Sequence, residues 1–243
     1  MRIERVLTDL GNKLLEWQST AGLACWGDCK TQADLDAHDY LSEHLNKFMP
    51  IPVLSEEAPW PSDIPDKYWL IDPIDGTRSY LDGYEGWVTQ VALMNRGWPM
   101  AAWVYAPATD EMWTATEGCG AKRNEIRIHT SDDGSAIDNT PEPSEDVSKA
   151  MKALGLTDYD TSGSIGLKIC RVAEGTASLF FKDVGVKTWD LAPGCLILKE
   201  AGGHMTTRDG SMIWYGGGPR VSGLVACSSL ALHTRFRTWE GRG

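Results

Sequence analysis

Two aspartates three residues apart, Asp72 and Asp75, close an apolar run within Tyr68-Trp69-Leu70-Ile71-Asp72-Pro73-Ile74-Asp75-Gly76-Thr77. A strand that simply continued would not bring both carboxylates to one point, whereas a turn forced by Pro73 and opened by Gly76 would. Carboxylates that converge repel each other unless a cation neutralises them, and hard oxygen ligands in that number suit magnesium. Gly76 lets backbone approach a ligand closely, and Thr77 adds a hydroxyl beside the metals. The same spacing also fits an acidic turn that caps the next helix.

Further acids stand at comparable places. Ser55-Glu56-Glu57 follows a short apolar strand, Asp34 lies at the opening of a helix, and Trp189-Asp190 precedes the helical Leu191-Ala192-Pro193-Gly194. Each has a plain structural reading too: a solvated loop for Glu56 and Glu57, N-cap duty for Asp34 and Asp190.

Charge narrows the partners. With 23 basic and 34 acidic residues the chain carries a formal net charge of −11, a surface that repels nucleic acid polymers and anionic membranes. A phosphate-bearing ligand therefore needs a basic pocket or bound metal cations. The longest weakly polar run, Pro99 to Ala108, is about half the roughly 20 residues that cross a bilayer. Glu4 and Asp9 interrupt the apolar N-terminus, against a signal layout. Six scattered cysteines, with Cys25 and Cys29 four apart and no completing zinc ligands, read as free thiols in a reducing cytoplasm. The 11 tryptophans follow no single motif, which favours packing over stacking on a base. A monomer or small homo-oligomer is expected.

The elements that must position these residues follow from periodicity. Ile3, Val6, Leu7, Leu10, Leu14 and Trp17 mark a first amphipathic helix. A second spans Thr31 to Phe48, with Leu35, Leu41, Leu45 and Phe48 as its buried face and Pro50 and Pro52 as its stop. Short strands follow at Val53-Leu54, Tyr68 to Ile71, Thr89 to Met94, Ala101 to Tyr105, Met112 to Ala115 and Ile126 to Ile128. Thr130 to Val147 reads as a polar surface loop or connection. Ser144 to Leu154, Leu167 to Glu174 and Ala192 to Ala201 read as helices, Ala177 to Phe181 as a strand, and His204 to Ser228 as strands before a helical tail. The layout is α+β, with two sheet-bearing halves, 1–130 and 131–243.

Together, Trp69 to Thr77, Ser55-Glu56-Glu57 and Trp189-Asp190 with Ala192-Pro193-Gly194 resemble the lithium-sensitive, magnesium-dependent sugar phosphatase superfamily that includes the inositol monophosphatases. Within it, Pro52 to Glu57, Lys67 to Leu70, Val104-Tyr105-Ala106-Pro107 and Gly163-Ser164-Ile165-Gly166-Leu167-Lys168 look most like the CysQ branch of 3′(2′),5′-bisphosphate nucleotidases. The resemblance implies a layered αβαβα sandwich and a phosphomonoesterase acting on the 3′-phosphate of adenosine 3′,5′-bisphosphate or its sulfated relative. An inositol- or sugar-phosphate phosphatase with the same metal site is the alternative enzyme, and a catalytically silent nucleotide or metal sensor the non-enzymatic one.

By the same resemblance Glu56, Asp72, Asp75, Asp190 and the carbonyl of Ile74 bind two or three magnesium ions, which lithium inhibits by replacement. Asp34 and Thr77, with Glu56 nearby, orient or deprotonate the attacking water, without a phosphoenzyme. Gly76, Thr77, Gly163, Ser164 and Lys168 contact a small phosphorylated nucleotide, the glycine turn offering backbone N–H groups at a helix N-terminus. One departure is visible. Such nucleotidases usually carry a Ser-Arg-Ser-His-like segment, where this chain has Asp138-Asn139-Thr140-Pro141-Glu142-Pro143-Ser144.

Overall fold

The computed structural model describes residues 2–20 and 31–240; Cys25, Cys29 and the turn expected near Gly27 to Lys30 lie outside the described residues. In chain order the elements are α1 (Ile3–Thr20), α2 (Gln32–Phe48), β1 (Val53–Ser55), β2 (Lys67–Asp75), α3 (Thr77–Leu81), β3 (Val88–Asn95), β4 (Trp98–Ala106) and β5 (Glu111–Thr116). There follow β6 (Gly120–Arg123), β7 (Ile126–Arg127), β8 (Ser135–Asp138), α4 (Glu145–Leu154), β9 (Tyr159–Thr161) and α5 (Ile165–Ala173). The chain ends with β10 (Ala177–Lys187), α6 (Thr188–Ala201), β11 (His204–Thr206), β12 (Arg220–Cys227) and α7 (Leu230–Glu240).

Strands β1 to β7 form one sheet in sequence order, a meander in which only β1 and β2 run parallel. The second sheet has the order β11-β12-β10-β8-β9. Three apolar clusters fix the stacking. Helices α1 and α2 bury Leu7, Leu10, Leu41 and Leu45 against Trp69, Ile71, Ile74 and Val91 of the first sheet. Helices α5 and α6 fill the space between the sheets, meeting Leu70, Val104 and Trp113 on one side and Phe180, Val186 and Leu224 on the other. Helices α4 and α7 cover the outer face of the second sheet at Leu179, Phe181 and Val225. The result is the αβαβα sandwich. A helix buried on two sides cannot afford a polar stripe, and α6 accordingly buries Leu191, Ala192, Leu196, Ile197 and Leu198 around its circumference.

Two expectations are corrected. The inner face of α2 runs through Ala33, Ala37, Leu41 and Leu45, while Leu35 and Phe48 are 41% and 36% exposed. A spacing of four keeps one stripe inward, and the capping residues Thr31 and Asp34 share that side, being buried as well. The polar stretch after Thr130 contains β8, whose four residues are all buried. It pairs in parallel with β10 and β9, and a short strand covered on both faces shows no alternation in sequence. No helix of the described residues is long and apolar enough to cross a membrane.

Phe236 of α7 is fully buried and packs on Phe181 and Trp239, with ring centroids 5.0 and 5.4 Å away. Phe236→Ala should cost about 3–5 kcal/mol in a urea titration.

Candidate metal centre

The centre is built on a bulge. Asp72 pairs with Gln90 and Asp75 with Val88, so three steps along β2 oppose two along β3. In a regular strand residues three apart face opposite ways; the extra residue restores the parity. Ile71 and Ile74 therefore both face α1 and α2, whereas Asp75 faces α5, on the side where Leu70 packs. The strand does not end at Asp72, as expected from its sequence, but carries both aspartates through the irregularity. Pro73 fits there because a bulge needs no complete ladder of donors, and its carbonyl accepts from Thr89 Oγ1 at 2.8 Å. Gly76 ends the strand at φ 93°, and a Cβ there would lie 3.2 Å from both the Gly86 carbonyl oxygen and Ser164 Cβ.

Glu56 arrives from the next strand. Because β1 and β2 are parallel with Ser55 opposite Ile71, the residue after β1 lies level with Asp72. Asp190 comes from the first turn of α6, where the backbone N–H of Lys187 donates to its Oδ2 at 3.4 Å. One carboxylate oxygen from each of Glu56, Asp72 and Asp190 lies within 4.8 Å of the others. Trp189 donates its indole N–H to Glu56 Oε2 at 3.2 Å, so it fixes Glu56 rather than acting only on its neighbour Asp190. Asp72 is 1% exposed, yet neither of its oxygens meets a hydrogen-bond donor among the described residues. A buried carboxylate left without donors is costly, and an all-oxygen donor set around it fits a hard divalent cation.

Asp75 and Asp34 flank this group. Asp75 accepts from the Gly166 N–H at 2.6 Å, from the Ile165 N–H at 3.4 Å and from Gln90 Nε2 at 3.2 Å. Asp34 sits in a capping box: one of its oxygens accepts from the Thr31 N–H and hydroxyl at 2.7 and 2.6 Å. Its other oxygen faces the Thr77 hydroxyl at 3.3 Å, which also lies 3.1 Å from the Ile74 carbonyl. Helix capping and a place beside Thr77 are thus both true of Asp34.

Burial, followed by the charges of Glu56, Asp75, Asp190 and Asp34, holds the Asp72 carboxyl well above the ordinary carboxylate range. Burial, then Asp75 and Glu56, does the same to Asp190. Asp75 is raised by burial, against the opposing pull of the Gly166 amide and Lys168. Asp34 is raised by burial, with Thr31 opposing. Without a metal, these groups hold protons to higher pH than in the unfolded chain.

The nucleotide-end residues lie elsewhere than expected. Ser164 caps α5 by accepting from the Leu167 N–H at 2.9 Å, and the N–H groups behind it are taken by Asp75 rather than left for a substrate anion. Lys168 is neither solvated nor open to a ligand: it is 1% exposed, and its ammonium donates to the carbonyls of Ser162 and Gly163 at 3.1 Å each. Gly163 packs with no room for a Cβ, which would fall 2.1 Å from Ser79 Oγ. Lys187 stacks over the Trp189 ring at 4.8 Å, and Glu142 points into solvent. Sequence reasoning missed Gln90 and Gly166 as holders of Asp75. Gly166 left a trace, a glycine inside a helix start; Gln90, one polar residue in a buried strand, left only its type.

Each of the Asp34, Asp72, Asp75 and Asp190 carboxyls is raised in the folded metal-free chain, so its own contribution to stability falls as pH rises through its raised value. The Tm of EDTA-treated protein should fall as pH rises above the ordinary carboxylate range, and millimolar Mg2+ should flatten that slope by replacing protons with cations. Asp72→Asn should raise the EDTA Tm at neutral pH and remove most of the Mg2+ effect; differential scanning calorimetry reads both.

Comparison with known proteins agrees with this geometry. The profile of the inositol monophosphatase family matches residues 20–238. The 3′(2′),5′-bisphosphate nucleotidase CysQ of Salmonella typhimurium is 32% identical over 76% of this chain and 78% of its own length. The Nus factor SuhB of Xylella fastidiosa is 35% identical over 56% of this chain and 54% of its own. The structure of the Thermotoga maritima IMPase superposes with a TM-score of 0.82 at 23% identity, covering 98% of this chain and 95% of that one. A shared fold and a family profile that matches residues 20–238 make this chain a member of the inositol monophosphatase family.

Proposed function

We propose that the chain is a magnesium-dependent phosphomonoesterase that removes the 3′-phosphate of adenosine 3′,5′-bisphosphate, or of its sulfated relative. The observation that carries this reading is Asp72, a buried carboxylate without a hydrogen-bond donor, grouped with Glu56 and Asp190. Glu56, Asp72, Asp75, Asp190 and the Ile74 carbonyl are the residues to hold two or three magnesium ions. On this reading residues 1–130 contribute most of the ligands, and residues 131–243 contribute Asp190 and the Ile165 and Gly166 amides that hold Asp75. When bound, the ions supply the positive charge that lets a phosphate dianion and its developing leaving oxygen rest on an acidic protein.

The remaining steps belong to the chain's own groups. Thr77 offers its oxygen to an incoming water and, on turning its one proton from the Ile74 carbonyl at 3.1 Å, donates to Asp34 Oδ1 at 3.3 Å. A proton leaving the water passes through Thr77 to that carboxylate, and the water oxygen attacks phosphorus in line as the ester P–O bond breaks and the departing 3′-oxygen takes a proton from solvent water to leave as the alcohol. Burial makes Asp34 a better base than a solvated aspartate, since its carboxyl is raised. Gly76, at positive φ with no space for a side chain, leaves its backbone free to approach the phosphate.

Identity to CysQ supports the nucleotide as substrate; the family as a whole supports inositol 1-phosphate as the second reading. The four cysteines among the described residues that are free are in keeping with the cytoplasmic location that we propose. Phosphate release from adenosine 3′,5′-bisphosphate, inositol 1-phosphate and fructose 1,6-bisphosphate should be fastest with the first and vanish in EDTA. A strong preference for inositol 1-phosphate would replace the nucleotide reading, and no release from any of the three would make the chain a silent sensor. Asp75→Asn should cut kcat by several orders of magnitude with the circular dichroism spectrum unchanged, and lithium should inhibit the parent enzyme.

A further inference from the structure

Lys168 is a buried cation that the mechanism above does not use. It lies on the first turns of α5, with its ammonium on the carbonyls of Ser162 and Gly163 and 5.2 Å from the Phe180 ring centroid. Those two carbonyls precede the Gly163–Gly166 turn. The turn is held at its other side by the Ser164 N–H on the Gly86 carbonyl, 2.8 Å, and by the Ser164 cap. Its last two amides, of Ile165 and Gly166, end on Asp75. A Cβ on Gly166 would fall 2.5 Å from Gln90 Oε1 and 3.0 Å from Asp75 Oδ2, so the contact requires glycine.

We infer that Lys168 is a positioning residue for the metal carboxylate Asp75: by clamping the Ser162 and Gly163 carbonyls it fixes the turn whose Ile165 and Gly166 amides aim that carboxylate. The inference rests on the function proposed above, because it gives Asp75 a metal to serve. It assigns Lys168 no contact with substrate. Two effects of the lysine oppose each other. As a nearby positive charge it repels a divalent ion; as a clamp it keeps Asp75 in place for that ion. Partners of metal ligands typically change affinity roughly 10–100-fold, and the Gly166 amide contact, 2.6 Å and buried, is the stronger of the two that aim Asp75, so positioning dominates.

The sign of one measurement separates the two. Mn2+ binding to the metal-free full chain is read by calorimetry and by the Mn2+ electron paramagnetic resonance spectrum. Lys168→Met should weaken binding about tenfold or more and broaden the bound-ion spectrum, although it removes a repelling charge. Lys168→Gln, which keeps two N–H donors, should lose less. Gly166→Ala, which leaves the lysine in place, should show the same direction of change as Lys168→Met. A folded Lys168→Met protein that binds Mn2+ as tightly as the parent, or more tightly, overturns the inference. If that variant fails to fold, unchanged affinity in Gly166→Ala overturns it instead. A parent that binds no Mn2+ overturns the proposed function and this inference together, whereas a binding parent matched by its variants overturns this inference alone.

Discussion

Mutual repulsion among buried carboxylates is the constraint on which the rest of this molecule depends. Asp72 and Asp75 are nearly inaccessible to water and Asp190 is partly buried, and water is the medium that would otherwise screen them. The protein answers with helix ends. Asp34 and Asp190 each sit in the first turn of a helix, α2 and α6, and accept a backbone N–H there. Asp75 receives the first amides of α5. Three helix N-termini, each partly positive, therefore face one cluster. None of them donates a hydrogen bond to Asp72, the carboxylate that the proposed cation would neutralise.

The five-layer architecture is what allows that convergence. Helix α2 belongs to the outer layer on the first sheet, and α5 and α6 to the layer between the sheets. The one parallel pairing in the first sheet sets Glu56 beside Asp72, and ligands of α/β sheets gather at the carboxyl ends of such strands. The bulge in β2 then turns Asp75 to the side of Asp72. Layer order, strand direction and bulge are all needed, and each fails to place the acids alone.

Tryptophan does more here than fill volume. Trp87 and Trp113 are fully buried, and Trp113 donates to Glu174 at 3.0 Å within the ion pairs of Arg171 with Glu111 and Glu174. Trp189 spans the gap between α6 and the loop after β1 by donating to Glu56, with Trp60 against it at 5.6 Å. An indole has an apolar body and one donor, so it can tie a carboxylate down without adding charge to the site.

Local patterns in the amino-acid sequence were enough to determine most elements, through apolar residues at helical spacing and Pro and Gly at strand ends, and they marked carboxylates where strands stop and helices start, while the family resemblance singled out which of these acids belong together. Those signals are short-range, because propensity and capping act over a few residues. Strand β8 escaped, since a strand covered on both faces and only four residues long carries no alternating pattern. Gln90 and Gly166 escaped because their importance lies in what they touch, 15 and 91 residues away at Asp75. Lys168 shows the difference most clearly. Its sequence context suited a solvated helix residue or a phosphate contact equally, and only packing α5 between two sheets decided that its charge is buried against backbone carbonyls. Contacts between distant segments, and the desolvation they impose, exist only once the layers have closed.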